Sequence, residues 1–272
     1  LGARYQEIET TSFTYNTGAL DSQYADDAIT PAVGLVFKPS DVISVYANYA
    51  EALTPGQIAP GTVGGVPILN PGEITAPFRS KQYEAGVKYD GGTFGGTVSL
   101  FSISQPSAIV DNLLFVVDGE QVNQGVELSA YGEPVPGLRV LGGATFVDAE
   151  RKRTEGGAFD GKTAIGVPDF QANLNVEYDL PAVPGLTVDG RIVHTGSQYV
   201  NAANTVSLDA WTRLDLGARY SLDVSGKPVT LRARIENVTD ENDWLSAGGY
   251  PGANYLVLGA PRTFIVSASV DF

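Results

Sequence analysis

Apolar and polar residues alternate along most of this chain. In residues 262–272, Phe264, Val266, Ala268, Val270 and Phe272 share one face of a strand, while Thr263, Ser267, Ser269 and Asp271 share the other; Ile265 is the exception. Successive side chains of a strand point to opposite faces, so this is a strand with one apolar and one polar face. The pattern recurs. In 41–51, Ile43, Val45, Ala47 and Tyr49 oppose Ser44, Tyr46 and Asn48. In 170–180, Phe170, Ala172, Leu174, Val176 and Tyr178 oppose Gln171, Asn173, Asn175, Glu177 and Asp179. In 208–220 and 229–236 the polar face carries Asp209, Arg213, Asp215, Arg219, Arg232, Arg234 and Glu236. That face is too charged for a buried core, and the other is too continuously apolar for water. Amphipathic helical windows are hard to find.

The alternation predicts about twelve strands, roughly at 1–15, 28–38, 41–52, 78–90, 93–105, 121–132, 137–150, 166–179, 185–199, 208–222, 227–238 and 262–272. Short turns rich in Gly, Pro, Asp and Ser fall at 38–41, 90–93, 133–137, 181–185 and 224–228. They alternate with long connections at 16–27, 53–77, 106–120, 151–165, 200–207 and 239–261. Long–short alternation is the wiring of a transmembrane barrel, with short periplasmic turns and long extracellular loops. The expected class is therefore all-β, a transmembrane antiparallel β-barrel of the outer-membrane type. Tyr5, Phe37, Tyr49, Tyr83, Tyr89, Phe94, Phe146, Phe170, Tyr178, Tyr220, Phe264 and Phe272 cluster towards strand ends, as aromatic belts at the two lipid–water boundaries do.

Composition narrows this further. The net charge of −14 argues against nucleic acid as a partner. With no Cys there is neither a disulfide framework nor a thiolate metal site. The chain lacks Met and begins inside a strand-like pattern, so it reads as a mature or truncated product without a signal peptide. No apolar run reaches helix-spanning length, which leaves a barrel open because its strands need only about 9–11 residues each. His194 is the single histidine and reads as an interfacial residue near the outer end of its strand. No catalytic or metal-ligating set is expected. A Ser–His arrangement on the lipid face is the enzymatic alternative, and alternation puts Ser197 on the face opposite His194.

Six stretches carry a resemblance: Ser44-Val-Tyr-Ala-Asn-Tyr-Ala-Glu51 with Thr54-Pro-Gly56; Tyr83-Glu-Ala-Gly-Val-Lys-Tyr89; Leu100-Phe-Ser-Ile-Ser104; Gln124-Gly-Val-Glu-Leu128; Ile235-Glu-Asn-Val-Thr-Asp240; and Gly259-Ala-Pro-Arg-Thr263 running to Phe272. In order and spacing the chain resembles the C-terminal portion of a TonB-dependent siderophore receptor, over essentially all of residues 1–272. Such receptors are 22-stranded barrels with a plugged lumen. The resemblance implies that this chain supplies the last part of the wall, and that the plug, the TonB-pairing segment and the earlier strands have no counterpart in it. It further implies outer-membrane location in a Gram-negative bacterium, transport of a ferric siderophore rather than any resident cofactor, and no enzymatic activity. The implied partners are the TonB–ExbB–ExbD complex, acting through the missing N-terminal region, the plug domain, and outer-membrane lipid and lipopolysaccharide.

Candidate ligand contacts are the aromatics and one arginine of the long connections: Phe78, Arg79, Phe115, Tyr199, Trp211, Trp244, Tyr250 and Tyr255. Stacking and charge suit bulky, often anionic chelates. Arg213, Arg219, Arg232 and Arg234, with Glu236, are expected to face the lumen, where the arginines form a basic stripe towards the plug or an anionic ligand. Asp21, Asp26 and Asp27 form an acidic loop cluster, read as solvated or as a divalent-cation bridge to lipopolysaccharide. The alternatives to uptake are a passive twelve-stranded pore and, behind it, a lipid-acting enzyme.

Overall fold

A computed structural model describes residues 1–250 and 253–271. Phe272 and the side chain of Tyr250 lie outside the described residues. Twelve strands form one antiparallel meander in which each pairs with its neighbour in sequence. They are β1 (Gly2–Phe13), β2 (Leu20–Phe37), β3 (Ile43–Thr54), β4 (Phe78–Asp90), β5 (Phe94–Asp111), β6 (Leu114–Val135), β7 (Leu138–Arg153), β8 (Phe170–Asp179), β9 (Leu186–Thr195), β10 (Trp211–Val224), β11 (Lys227–Glu236) and β12 (Thr263–Val270). A two-residue strand, Lys162–Thr163, pairs with β7 off this path. Among the described residues β1 pairs only with β2, and β12 only with β11.

Burial is inverted relative to a water-soluble protein. Val266 and Phe264 are 82% and 71% exposed, while the most deeply buried large side chain is Asp215, at 0%. Leaving each apolar side chain in water forgoes about 1.5–3 kcal/mol. A whole face of them, on a sheet whose other face is polar, is the surface of a barrel wall in lipid. The register confirms the two faces. Val45, Ala47 and Tyr49 align with Val87, Ala85 and Tyr83, and Asn48 aligns with Glu84 on the polar side.

Aromatic belts border the apolar band. Towards the long-loop end, Tyr49 and Tyr83 meet at 4.9 Å between ring centroids. Phe146, Phe170 and His194 form a row across β7, β8 and β9, at 4.7 and 5.6 Å. His194 Nδ1 lies 2.8 Å from Thr212 Oγ1, so the single histidine closes an aromatic belt on the outer face. Tyr89, Tyr178 and Tyr220 stand exposed towards the short-turn end.

The expected strands are all present, but several connections are shorter than expected. β2 begins at Leu20, so most of 16–27 is strand, including Asp21, Asp26 and Asp27. Segment 106–120 is almost entirely ladder, because β5 and β6 run to a two-residue turn at Asn112 and Leu113, both at positive φ. The 22 residues of β6 reach about 70 Å at 3.3 Å per residue, far beyond the bilayer. Outside the lipid both faces meet water, so alternation fades while the ladder hydrogen bonds persist. That is why the pattern stops before the strands do. Segment 239–261 likewise contains a hairpin, Trp244–Tyr250 with Ala253–Leu258.

Candidate functional site

The polar face of β7–β11 carries two ion-pair clusters, one around Arg139 and one around Arg234. Arg139 on β7 holds Asp179 at 2.7 Å and Glu177 at 3.3 Å, both on β8. Glu177 also meets Arg219 of β10 at 3.6 Å, and Thr187 of β9 donates its hydroxyl to Asp179 at 2.7 Å. Asp215 of β10 accepts from Arg213 at 2.9 Å and from the Asn237 backbone N–H at 2.9 Å. Arg234 of β11 reaches Asp189 of β9 at 2.6 Å and Asp215 at 3.7 Å, with Glu236 also at 3.7 Å.

The Arg234–Asp189 pair skips a strand, and Gly217 is the reason. It sits in register between Asp189 and Arg234. A Cβ there would lie 2.4 Å from an Asp189 carboxylate oxygen, so only glycine leaves the path across β10 open.

Arg213, Arg219, Arg232, Arg234 and Glu236 therefore share the inner face, but not as a free basic stripe. Arg213, Arg219 and Arg234 each have a wall carboxylate within 3.7 Å. Arg232 donates to the Ser269 hydroxyl at 3.3 Å. Charge pairing across strands was invisible in a one-dimensional reading that could place the arginines but not their neighbours. Farther along the same face, Lys88 lies over the Tyr46 ring at 4.7 Å, and Tyr46 donates to Glu84 at 2.5 Å.

The candidate ligand residues divide into three settings. Phe78 is 8% exposed, and Ala59 and Ile68 of loop 55–77 are buried as well. Arg79 faces the outer side, bound to Glu51 at 3.0 Å and to the Ile29 carbonyl at 2.9 Å. These two serve packing and the outer surface. Phe115 lies on β6 and not in a loop; its backbone N–H and C=O are held by the Asn70 amide at 2.8 and 3.0 Å, while Leu69 N–H meets the Leu113 carbonyl at 2.7 Å. Loop 55–77 is thereby tied to the projecting β5–β6 hairpin.

A second tie holds the last long connection. Trp211 is the first residue of β10, and its indole N–H donates to the Leu245 carbonyl at 3.1 Å. Gln198, 3% exposed, donates to the same carbonyl at 2.9 Å and accepts from the Ala247 N–H. Tyr199 lies beside Gln198 in a two-residue ladder with Ser207–Leu208. Trp244 and Tyr255 remain 46% and 54% exposed on the hairpin so anchored.

The site that sequence reasoning missed is at Arg151. Gln105 of β5, Gln121 of β6 and Arg151 of β7 align in register on the inner face. They line a cavity of about 820 Å³ with Ser80, Phe159 and the charged Glu120, Arg153 and Glu155. The Arg151 guanidinium lies over the Phe159 ring at 5.3 Å, and its Nη1 is buried without a hydrogen-bond partner. Counting by twos from inward-facing Arg139 reaches Arg151, so the signal was present; it was hidden by the run Arg151-Lys-Arg153, which reads as a solvated loop. Among the described residues no group of His, Cys, Asp or Glu is arranged to hold a metal ion.

Known proteins place this wall. A family model described as TonB dependent receptor-like, beta-barrel, matches residues 1–238. The chain is 43% identical over 276 residues to the ferrichrome receptor FcuA of Yersinia enterocolitica, covering 100% of this chain and 36% of that protein. Among solved structures it is similar to BauA, the ferric preacinetobactin receptor from Acinetobacter baumannii, with a TM-score of 0.83 and 46% identity over 92% of this chain and 37% of that one. The siderophore receptor PiuA from the same species gives a TM-score of 0.80 at 22% identity, a likeness of fold, over 98% of this chain and 39% of that one. The chain thus spans little more than a third of the relatives it matches.

Proposed function

Because this chain belongs to the TonB dependent receptor-like β-barrel family, we propose that it forms wall and extracellular loops of a receptor that takes up a ferric siderophore, energised through TonB. The wall lies in the outer membrane, as the barrels of this family do. The observation that carries the uptake reading is similarity along the whole chain to proteins named as receptors for ferrichrome and for ferric preacinetobactin. The geometry agrees with that reading. The outer face is built for lipid, the inner face is polar, and strand ends with the 154–159 segment frame a cavity at the long-loop end.

β1 and β12 are not paired with each other among the described residues. Unpaired backbone groups in hydrocarbon cost several kcal/mol each, so further strands of the receptor complete the wall. A self-contained pore has no support in this arrangement. The inner wall is where a plug domain rests. Arg139, Arg213, Arg219 and Arg234 are already paired with wall carboxylates, so over that part the wall offers the plug hydrogen-bonding groups and fixed dipoles more than net charge. The activity is transport, with no bond of the chelate made or broken. TonB, ExbB, ExbD and lipopolysaccharide belong to this proposal as partners of the complete receptor.

The test is radioiron accumulation under iron limitation, in cells whose only intact siderophore receptor is the full-length protein. Expected is chelate-dependent uptake that disappears when TonB is deleted. Correctly assembled receptor that accumulates none of a panel of hydroxamate, catecholate and mixed ferric chelates overturns the reading.

A further inference from the structure

We propose that Arg151, stacked on Phe159 at the long-loop end of the inner wall, is an anion subsite that selects ferric chelates presenting negatively charged oxygens. This inference rests on the uptake reading and names the chemistry of its ligand.

The argument begins with what Arg151 lacks. No carboxylate lies within ion-pair distance of it among the described residues, whereas Arg139, Arg213, Arg219 and Arg234 on the same face all have one. Arg213 also has a buried Nε without a partner, but its charge is met by Asp215. Next to Arg151, Arg153 is claimed by Asp118 at 3.0 Å and Glu120 at 3.6 Å. Glu120 is further engaged by the Ser104 hydroxyl at 2.7 Å. Arg153 and Glu120 are thus spent on other partners, Glu155 shares the cavity lining, and Arg151 has no carboxylate partner among the described residues.

Arg151 is one of the residues lining a cavity of about 820 Å³, a volume ordinary for small-molecule sites, while its unpartnered Nη1 is buried. The guanidinium is held rather than floppy. Phe159 covers it at 5.3 Å, and the Arg151 backbone is fixed by pairing with Lys162 and by the Gly161 N–H. Beside it, Gln105 and Gln121 are oriented through Asn123, which accepts from Gln121 at 2.9 Å and donates to Gln105 at 3.3 Å. A planar cation with no opposing carboxylate, flanked by fixed amides and backed by an aromatic ring, matches a catecholate or carboxylate oxygen pair. A neutral chelate gains nothing from the charge.

The experiment uses the purified full-length receptor in detergent and two probes, an anionic ferric tris-catecholate and a neutral ferric tris-hydroxamate. Affinity is read from quenching of tryptophan fluorescence, at low and at moderate salt. For the wild type, tighter binding of the tris-catecholate is expected, weakening as salt rises. Arg151→Gln should weaken the tris-catecholate by roughly 10–100-fold, leave the tris-hydroxamate within about twofold, and flatten the salt dependence. Arg151→Lys should recover part of the affinity by restoring charge without the planar fork. Lys38→Gln, at a short turn of the opposite end, should change neither. Equal binding of both probes by Arg151→Gln and wild type overturns the subsite alone, as does an equal loss for both or a wild type that binds only the neutral probe. Wild-type receptor that binds neither probe and accumulates no iron overturns the uptake reading and the subsite with it.

Discussion

Arg234 and Arg151 lie on the same face of one sheet, yet their surroundings are opposite. Arg234 reaches across a whole strand to Asp189 and touches Asp215 and Glu236 as well. Arg151 has a ring beneath it, a cavity before it, and a buried Nη with no partner. The first arrangement fixes strands to one another. The second leaves electrostatic free energy unspent, which is what a binding site needs and a scaffold avoids. Arginine content alone does not separate structural from recognition residues on such a wall; the surroundings of each guanidinium do.

The contrast can be broken most forcefully at Asp215. Asp215→Ala should destabilise the full-length receptor by about 3 kcal/mol in urea unfolding from lipid vesicles. That is the low end of the range for breaking a buried pair, because Arg213 and Arg234 keep some contact with water. A loss below about 0.5 kcal/mol would make the network ornamental and remove the structural half of the comparison. Next comes the outer face. Leu100→Arg should cost about 2–4 kcal/mol in the same assay, as expected for a charge near the bilayer midplane; a neutral effect would mean that this face does not meet lipid. Gly217→Val should cost about 1–3 kcal/mol by forcing Asp189 and Arg234 apart. Its effect should largely vanish in an Asp189→Asn background, and full additivity of the two changes would show that the bridge over β10 is not what glycine protects. The smallest effect is predicted at Arg151. Arg151→Gln should leave unfolding within about 0.5 kcal/mol of wild type while it alters chelate selectivity. A stability loss comparable to that of Asp215→Ala would place Arg151 among the scaffold residues.

The architecture was largely legible in the sequence because lipid enforces a strict rule within the bilayer. All twelve strands, the two faces, the belts and the inward position of Arg213, Arg219, Arg232, Arg234 and Glu236 follow from counting by twos. The rule ends where lipid ends. Residues 20–27 and 106–120 lost their alternation, and with it their strand signal, although the ladder of β2, β5 and β6 runs through them. The candidate site was less legible. Phe78 and Arg79 looked like loop recognition residues, but Phe78 is buried and Arg79 is bound on the outer side. Trp211 gives its N–H to an anchoring carbonyl. What distinguishes Arg151 is a buried donor without a partner beside a cavity, a three-dimensional fact that no local motif encodes.

The unbroken meander has a consequence for how the wall is made. Every ladder joins strands adjacent in sequence, so each new hairpin can be templated by the strand just laid down. The loop-closure entropy of each addition stays small. Growth then moves one edge forward at each addition, and β12 carries that advancing edge at the end of this segment. Until a distant strand captures it, the edge can anneal to any exposed β-segment nearby. The step most in need of an escort during biogenesis is therefore the last one, the single pairing that no neighbour in sequence can supply.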